Sequence, residues 1–81
     1  MDYSFKTSGV CSRQIRFSLE DGIVKNVRFE GGCNGNLQGI GKLVEGMRAE
    51  DVAKKLKGIS CNGKPTSCPD QLAKAIRQAL N

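Results

Sequence analysis

The apolar residues change their spacing once along this chain, and that change limits what it can fold into. Up to about residue 30 they alternate with polar ones; beyond residue 37 they recur every three or four positions. Residues 3–8 set Tyr3, Phe5 and Thr7 against Ser4, Lys6 and Ser8, the period of a strand with one apolar face. Gly9-Val10-Cys11-Ser12 interrupts it. Residues 13–20 alternate again, with Ile15, Phe17 and Leu19 on one side and Arg16, Ser18 and Glu20 on the other. Asp21-Gly22 is a hairpin signal, and residues 23–30 form the return strand, with Val27 and Phe29 as its apolar face. A strict two-residue loop would place Phe17 opposite Asn26. Pairing Phe17 with Val27 and Ile15 with Phe29 needs one extra residue, expected as a longer loop or a bulge near Gly22.

Gly31-Gly32-Cys33-Asn34-Gly35-Asn36 ends the sheet. Leu37, Ile40, Leu43, Val44 and Met47 then follow at helical spacing. Gly39 and Gly41 lie inside that helix at about 1 kcal/mol each against alanine, so close packing is expected to compensate. Gly46 closes it. A short helix over 49–57 turns Val52, Ala53 and Leu56 inward; Gly58 caps it and Ile59 staples its exit. Residues 60–65 are a loop. The last helix runs from about Pro69 to Leu80, with Leu72, Ala73, Ile76, Ala79 and Leu80 on one face. Three strands followed by three helices predict one α+β domain over residues 1–81: a three-stranded antiparallel meander covered on one face by helices.

A core built from 81 residues is small, and such domains often carry a disulfide or metal staple. Met1 leads directly into polar, strand-like sequence with no basic and apolar leader, and no apolar run reaches membrane-spanning length. A cytoplasmic location is expected, where four cysteines favour metal or redox chemistry over structural disulfides. The net charge of +5 permits anionic partners. Lys54, Lys55, Lys57, Lys64, Lys74 and Arg77 are spread over helical faces and read as solvated. With four aromatic residues in the chain, a base-stacking platform is poorly supported and nucleic acid is not the expected partner.

Cys11, Cys33, Cys61 and Cys68 each sit in or beside turn-like sequence. A single cysteine is most simply a small buried hydrophobe, but four of four in such surroundings suggest a shared centre. There is no C-x-x-C pair and no histidine, so ligation would be by thiolates, which suit zinc first and an iron–sulfur cluster second. The other chemistry left open is a redox dithiol of Cys61 and Cys68. Thr66-Ser67-Cys68-Pro69-Asp70 reads as a helix start: Ser67 caps, Pro69 occupies the first turn, and Asp70 faces the positive helix end. Capping explains Asp70 better than a role as catalytic acid. A thiol at Cys68 would lie over free N–H groups that favour the thiolate, which makes it the expected most reactive of the four. No catalytic set of Ser, His and Asp and no phosphate loop is present, and no catalytic residue is assigned.

Thr66 to Asp70 spells the motif that names the TSCPD family. Gly31-Gly32-Cys33-Asn34-Gly35-Asn36, Leu43-Val44-Glu45-Gly46-Met47 and Gly58-Ile59-Ser60-Cys61 also resemble that family, so the likeness spans nearly the whole chain. Members occur as small stand-alone proteins and as a C-terminal domain of vitamin B12-dependent ribonucleotide reductases. The resemblance implies a metal-binding accessory module linked to ribonucleotide reduction, with a reductase or another protein, and possibly a nucleotide, as partner. The reductase reaction itself is not implied, because the chain is too short for the radical-forming barrel. In element order the chain is also similar to iron–sulfur cluster assembly scaffolds, with Cys11, Cys33 and Cys68 at that family's cysteine places and similar helices at Val44-Glu45-Gly46 and Ala73-Lys74-Ala75-Ile76. Arg13 and Ser67 stand where that family has an aspartate and a histidine, so the implication extends to the fold.

Overall fold

The computed structural model describes residues 1–7, 12–31, 34–59 and 66–80. Strands β1 (Asp2–Lys6), β2 (Ser12–Glu20) and β3 (Ile23–Gly31) form an antiparallel sheet in the order β1-β2-β3. Helices α1 (Asn34–Val44), α2 (Ala49–Leu56) and α3 (Cys68–Leu80) follow. The α+β meander with three helices is as expected from the change in apolar spacing. Among the described residues no helix is long and apolar enough to cross a membrane.

The hairpin turn differs from expectation. Glu20 pairs with Ile23, so the β2–β3 loop is the bare Asp21-Gly22 dipeptide. Both residues have positive φ, 53° and 77°, the conformation that matches the twist of the flanking strands. The extra residue is absorbed further along β3. Arg16 faces Arg28 while Ser18 faces Lys25, which leaves Asn26 and Val27 together opposite Phe17. Asn26 takes a left-handed φ of 56°, which asparagine tolerates better than most residues. Its N–H donates to Glu45 Oε1 at 2.9 Å. This bulge switches the inward parity of β3 from Val24 to Val27 and Phe29. Ile15 still pairs with Phe29, as the buried face requires. Val24 is fully buried, although the sequence reading left it out of the apolar face.

The sheet's inner face presents Ile15, Phe17 and Val24 to Val44, Ala49, Val52, Leu72, Ala75 and Ile76. Tyr3 pairs with Phe17 across β1 and β2, and their rings stack 5.5 Å apart, worth roughly 0.5–1.5 kcal/mol beyond area burial. Leu37, Gly41 and Val44 form the buried stripe of α1. Leu43, expected inward, is 78% exposed, because it falls off that stripe. Leu80 and Ile59 also stand out into solvent rather than packing inward. A Cβ on Gly41 would lie 2.9 Å from the Val27 carbonyl oxygen, whereas one on Gly39 would meet nothing within 4 Å. Close packing therefore accounts for Gly41 alone.

Gly46 ends α1 with φ 81°, and residues 46–49 then run along the start of β3. Gly46 N–H donates to Val24 O at 2.9 Å, Val24 N–H to Met47 O at 2.8 Å, and Ala49 N–H to Gly22 O at 2.8 Å. These bonds fix where α2 begins. Glu50 and Asp51 occupy its first turn and Lys54 and Lys55 its last, each sign matched to the helix dipole. Helix α2 packs on α3, which brings the C-terminal end of one to the N-terminal end of the other.

Candidate functional site

Of the four cysteines expected to converge, Cys11, Cys33 and Cys61 lie outside the described residues. Cys68 is the first residue of α3 and is buried. A buried thiol is shielded from reagents, which removes the geometric basis for expecting Cys68 to be the most reactive. Among the described residues no three His, Cys, Asp or Glu side chains gather as a metal site.

The hydrogen bonds around Cys68 give the motif its structural meaning. Ser67 is the N-cap of α3. Its Oγ accepts from Asp70 N–H at 3.2 Å, and its carbonyl accepts the first helical bond, from Gln71 N–H at 2.8 Å. The same hydroxyl donates outward to the Ile59 carbonyl at 2.6 Å. Asp70 stands at the third helical position, where an acidic residue usually reaches back to the N-cap N–H. Here it turns elsewhere. One carboxylate oxygen accepts from the Thr66 hydroxyl at 2.6 Å and the other from Gly58 N–H at 2.8 Å. Gln71 Nε2 donates to Thr66 Oγ1 at 3.0 Å, which uses both the acceptor and the donor capacity of that hydroxyl. Lys57, the C-cap of α2, is extended at ψ 131°, which turns the Gly58 N–H out of the helical ladder, and Gly58 itself takes φ 82°.

The result is a clamp. Residues 58 and 59, at the exit of α2, are tied by Asp70 and Ser67 to residues 66–70, at the entry of α3. Thr66, Ser67, Asp70 and Gln71 are all buried, so the bonds among these four form out of competition with water, and an unmade one would be costly; those to Gly58 and Ile59 are part-buried. Among the described residues every buried side-chain nitrogen and oxygen has a partner. The Thr66 hydroxyl and then the Gly58 N–H hold the Asp70 carboxyl below its ordinary value of 3.8, against the opposing effect of burial. The nearby charges of Lys74 and Arg77 act in the same direction. Lys74 Nζ stands 3.9 Å from Asp70 on an exposed side chain, so its share is small.

An ionised, fully engaged carboxylate has no proton to offer; Asp70 is the acceptor that ties Gly58 to Thr66, and the side chain that caps α3 is Ser67 rather than the expected Asp70. The cap at Ser67 was legible in its place just before Cys68-Pro69. The bonds to Thr66 and Gly58 were not, because a local pattern does not report a partner twelve residues upstream.

The TSCPD domain family model matches residues 1–80. No curated protein and no solved structure matches the chain.

Proposed function

Because the chain belongs to the TSCPD-domain family, we propose that it is a metal-binding accessory module linked to ribonucleotide reduction, with a reductase as its protein partner. The observation that carries this reading is the clamp that fixes Cys68. It holds together the two ends of the segment that contains Cys61. Cys61 follows Ile59 by two positions, a covalent reach of about 7 Å, and Ile59 is itself bonded to Ser67, the residue before Cys68. The donor set fits a soft metal: four cysteines and no histidine suit Zn²⁺ as first choice and an iron–sulfur cluster as second. Cys11, Cys33, Cys61 and Cys68 would supply the thiolates. Bound metal would also staple a domain whose core is small. The reducing cytoplasm, where thiols stay available for metal, is the compartment that suits this chemistry.

Anaerobic purification, with metal measured per chain and a visible spectrum recorded, tests the reading. One zinc per colourless chain, or a brown chain with iron and sulfide, is the expected result. A metal-free chain whose Cys61 and Cys68 form a titratable disulfide would replace the metal centre with a redox dithiol.

A further inference from the structure

The face of the sheet turned away from the helices carries an arrangement that the cysteine motif does not explain. Ser4 pairs with Arg16 across β1 and β2, and Arg16 pairs with Arg28 across β2 and β3. The three side chains form one transverse row over all three strands. Like charges directly opposite on neighbouring strands are destabilising, and here two guanidiniums are so placed. Arg16 meets Glu30 at 3.6 Å, with both side chains well exposed, 60% and 42%. Such a contact is worth little. Arg28 has no ion pair among the described residues.

The row crosses an open hollow whose lining also includes Asp2, Ser18 and Asn26. The Asp2 carboxylate is already engaged by the Ser18 hydroxyl, and Asn26 comes to the hollow through the β3 bulge. Tyr3 and Phe17 also border the hollow, but their side chains, like those of Phe5 and Phe29, belong to the core cluster, so the row itself offers no stacking platform for bases. What it offers is two planar guanidinium forks, the Ser4 hydroxyl and an amide, beside the Asp2 carboxylate that Ser18 already bonds.

We propose that Ser4, Arg16 and Arg28 form a phosphate-binding site on the outer face of the sheet. Guanidinium groups bond phosphate oxygens in pairs. One phosphate group between Arg16 and Arg28 would turn their mutual repulsion into a joint attraction, with Ser4 and Asn26 donating to the remaining oxygens. The phosphate can belong to a free nucleotide or to a nucleic-acid backbone, since the site would contact no base. The proposal does not depend on the metal reading.

Titration of the full chain with sodium pyrophosphate at low ionic strength, followed by ¹⁵N NMR, tests it. Saturable shifts are expected at the amides of Ser4, Arg16 and Arg28 and at both arginine Nε groups. Arg16→Gln and Arg28→Gln, substitutions on an exposed face, should each weaken binding about tenfold. Arg28→Lys should restore it only in part, because the paired bonds are lost. A nucleoside triphosphate and a short DNA duplex then distinguish the source. Saturation by the triphosphate assigns a free nucleotide; saturation by the duplex alone assigns the backbone. Shifts that fail to saturate, or that fall equally on Lys54, Lys55 and Lys74 and survive both Gln variants, would overturn the site in favour of diffuse ionic attraction.

Discussion

Asp70→Ala is expected to cost this protein about 3 kcal/mol, a large part of what a domain of this size has available. The carboxylate accepts two bonds, from the buried Thr66 hydroxyl and the part-buried Gly58 N–H. Removing it strands the buried Thr66 hydroxyl, frees the Gly58 N–H and cuts the tie between α2 and α3. At roughly 4–8 °C per kcal/mol for a domain this small, the melting temperature should fall by about 12–24 °C. Asp70→Asn keeps the shape and one acceptor oxygen and should lose about half as much. Ser67→Ala should cost about 1–2 kcal/mol through the cap and the Ile59 bond.

The pH dependence has a definite sign. The folded carboxyl titrates below 3.8, so its stabilisation is fully present above that ordinary value. It is lost as pH falls through the lower native value. Asp70→Asn should therefore flatten the acid limb of stability below about pH 4 and leave the slope above pH 6 unchanged. Thermal melts of the three variants across pH check this. An Asp70→Ala protein within 0.5 kcal/mol of the parent, the ordinary range for an unremarkable surface change, would mean the clamp holds nothing.

Gly41→Ala and Gly39→Ala should move stability in opposite directions. At Gly41 the new methyl group would stand 2.9 Å from a backbone carbonyl of β3, and backbone cannot swing aside as a side chain can. Helix α1 must lift from the sheet at about 1–3 kcal/mol, more than the helix propensity gained, about 1 kcal/mol. At Gly39 the methyl group enters open space, and the propensity gain of up to about 1 kcal/mol stands unopposed. Urea midpoints for the two variants decide it. A shift of both in the same direction would contradict the packing of α1 on β3.

These cases also show where sequence reasoning stops. The element order and the pairing of Ile15 with Phe29 were legible because a buried sheet face enforces strict alternation. The need for one extra residue was legible too. Its position was not, because Asp21-Gly22 suits a two-residue turn as it stands. The bulge forms where asparagine can take a positive φ and where Glu45, nineteen residues on, can accept the N–H left out of the ladder. The apolar types at 43, 59 and 80 misled for a related reason. Periodicity marks a stripe but does not say how wide a stripe the neighbouring elements cover. The cap at Ser67 was local and could be read. The clamp that it belongs to depends on Gly58 and Ile59 arriving from another helix. For the cysteines, spacing could suggest a shared centre, but it carried no information on the burial of Cys68.

Zinc-edge X-ray absorption of the zinc-loaded full chain reads the proposed thiolate centre beside this clamp. A shell of about four sulfurs at about 2.3 Å is expected. Replacing any one of Cys11, Cys33, Cys61 and Cys68 by serine should reduce that number to about three. A shell of oxygen or nitrogen alone, at about 2.0–2.2 Å and unchanged by those four substitutions, would contradict it.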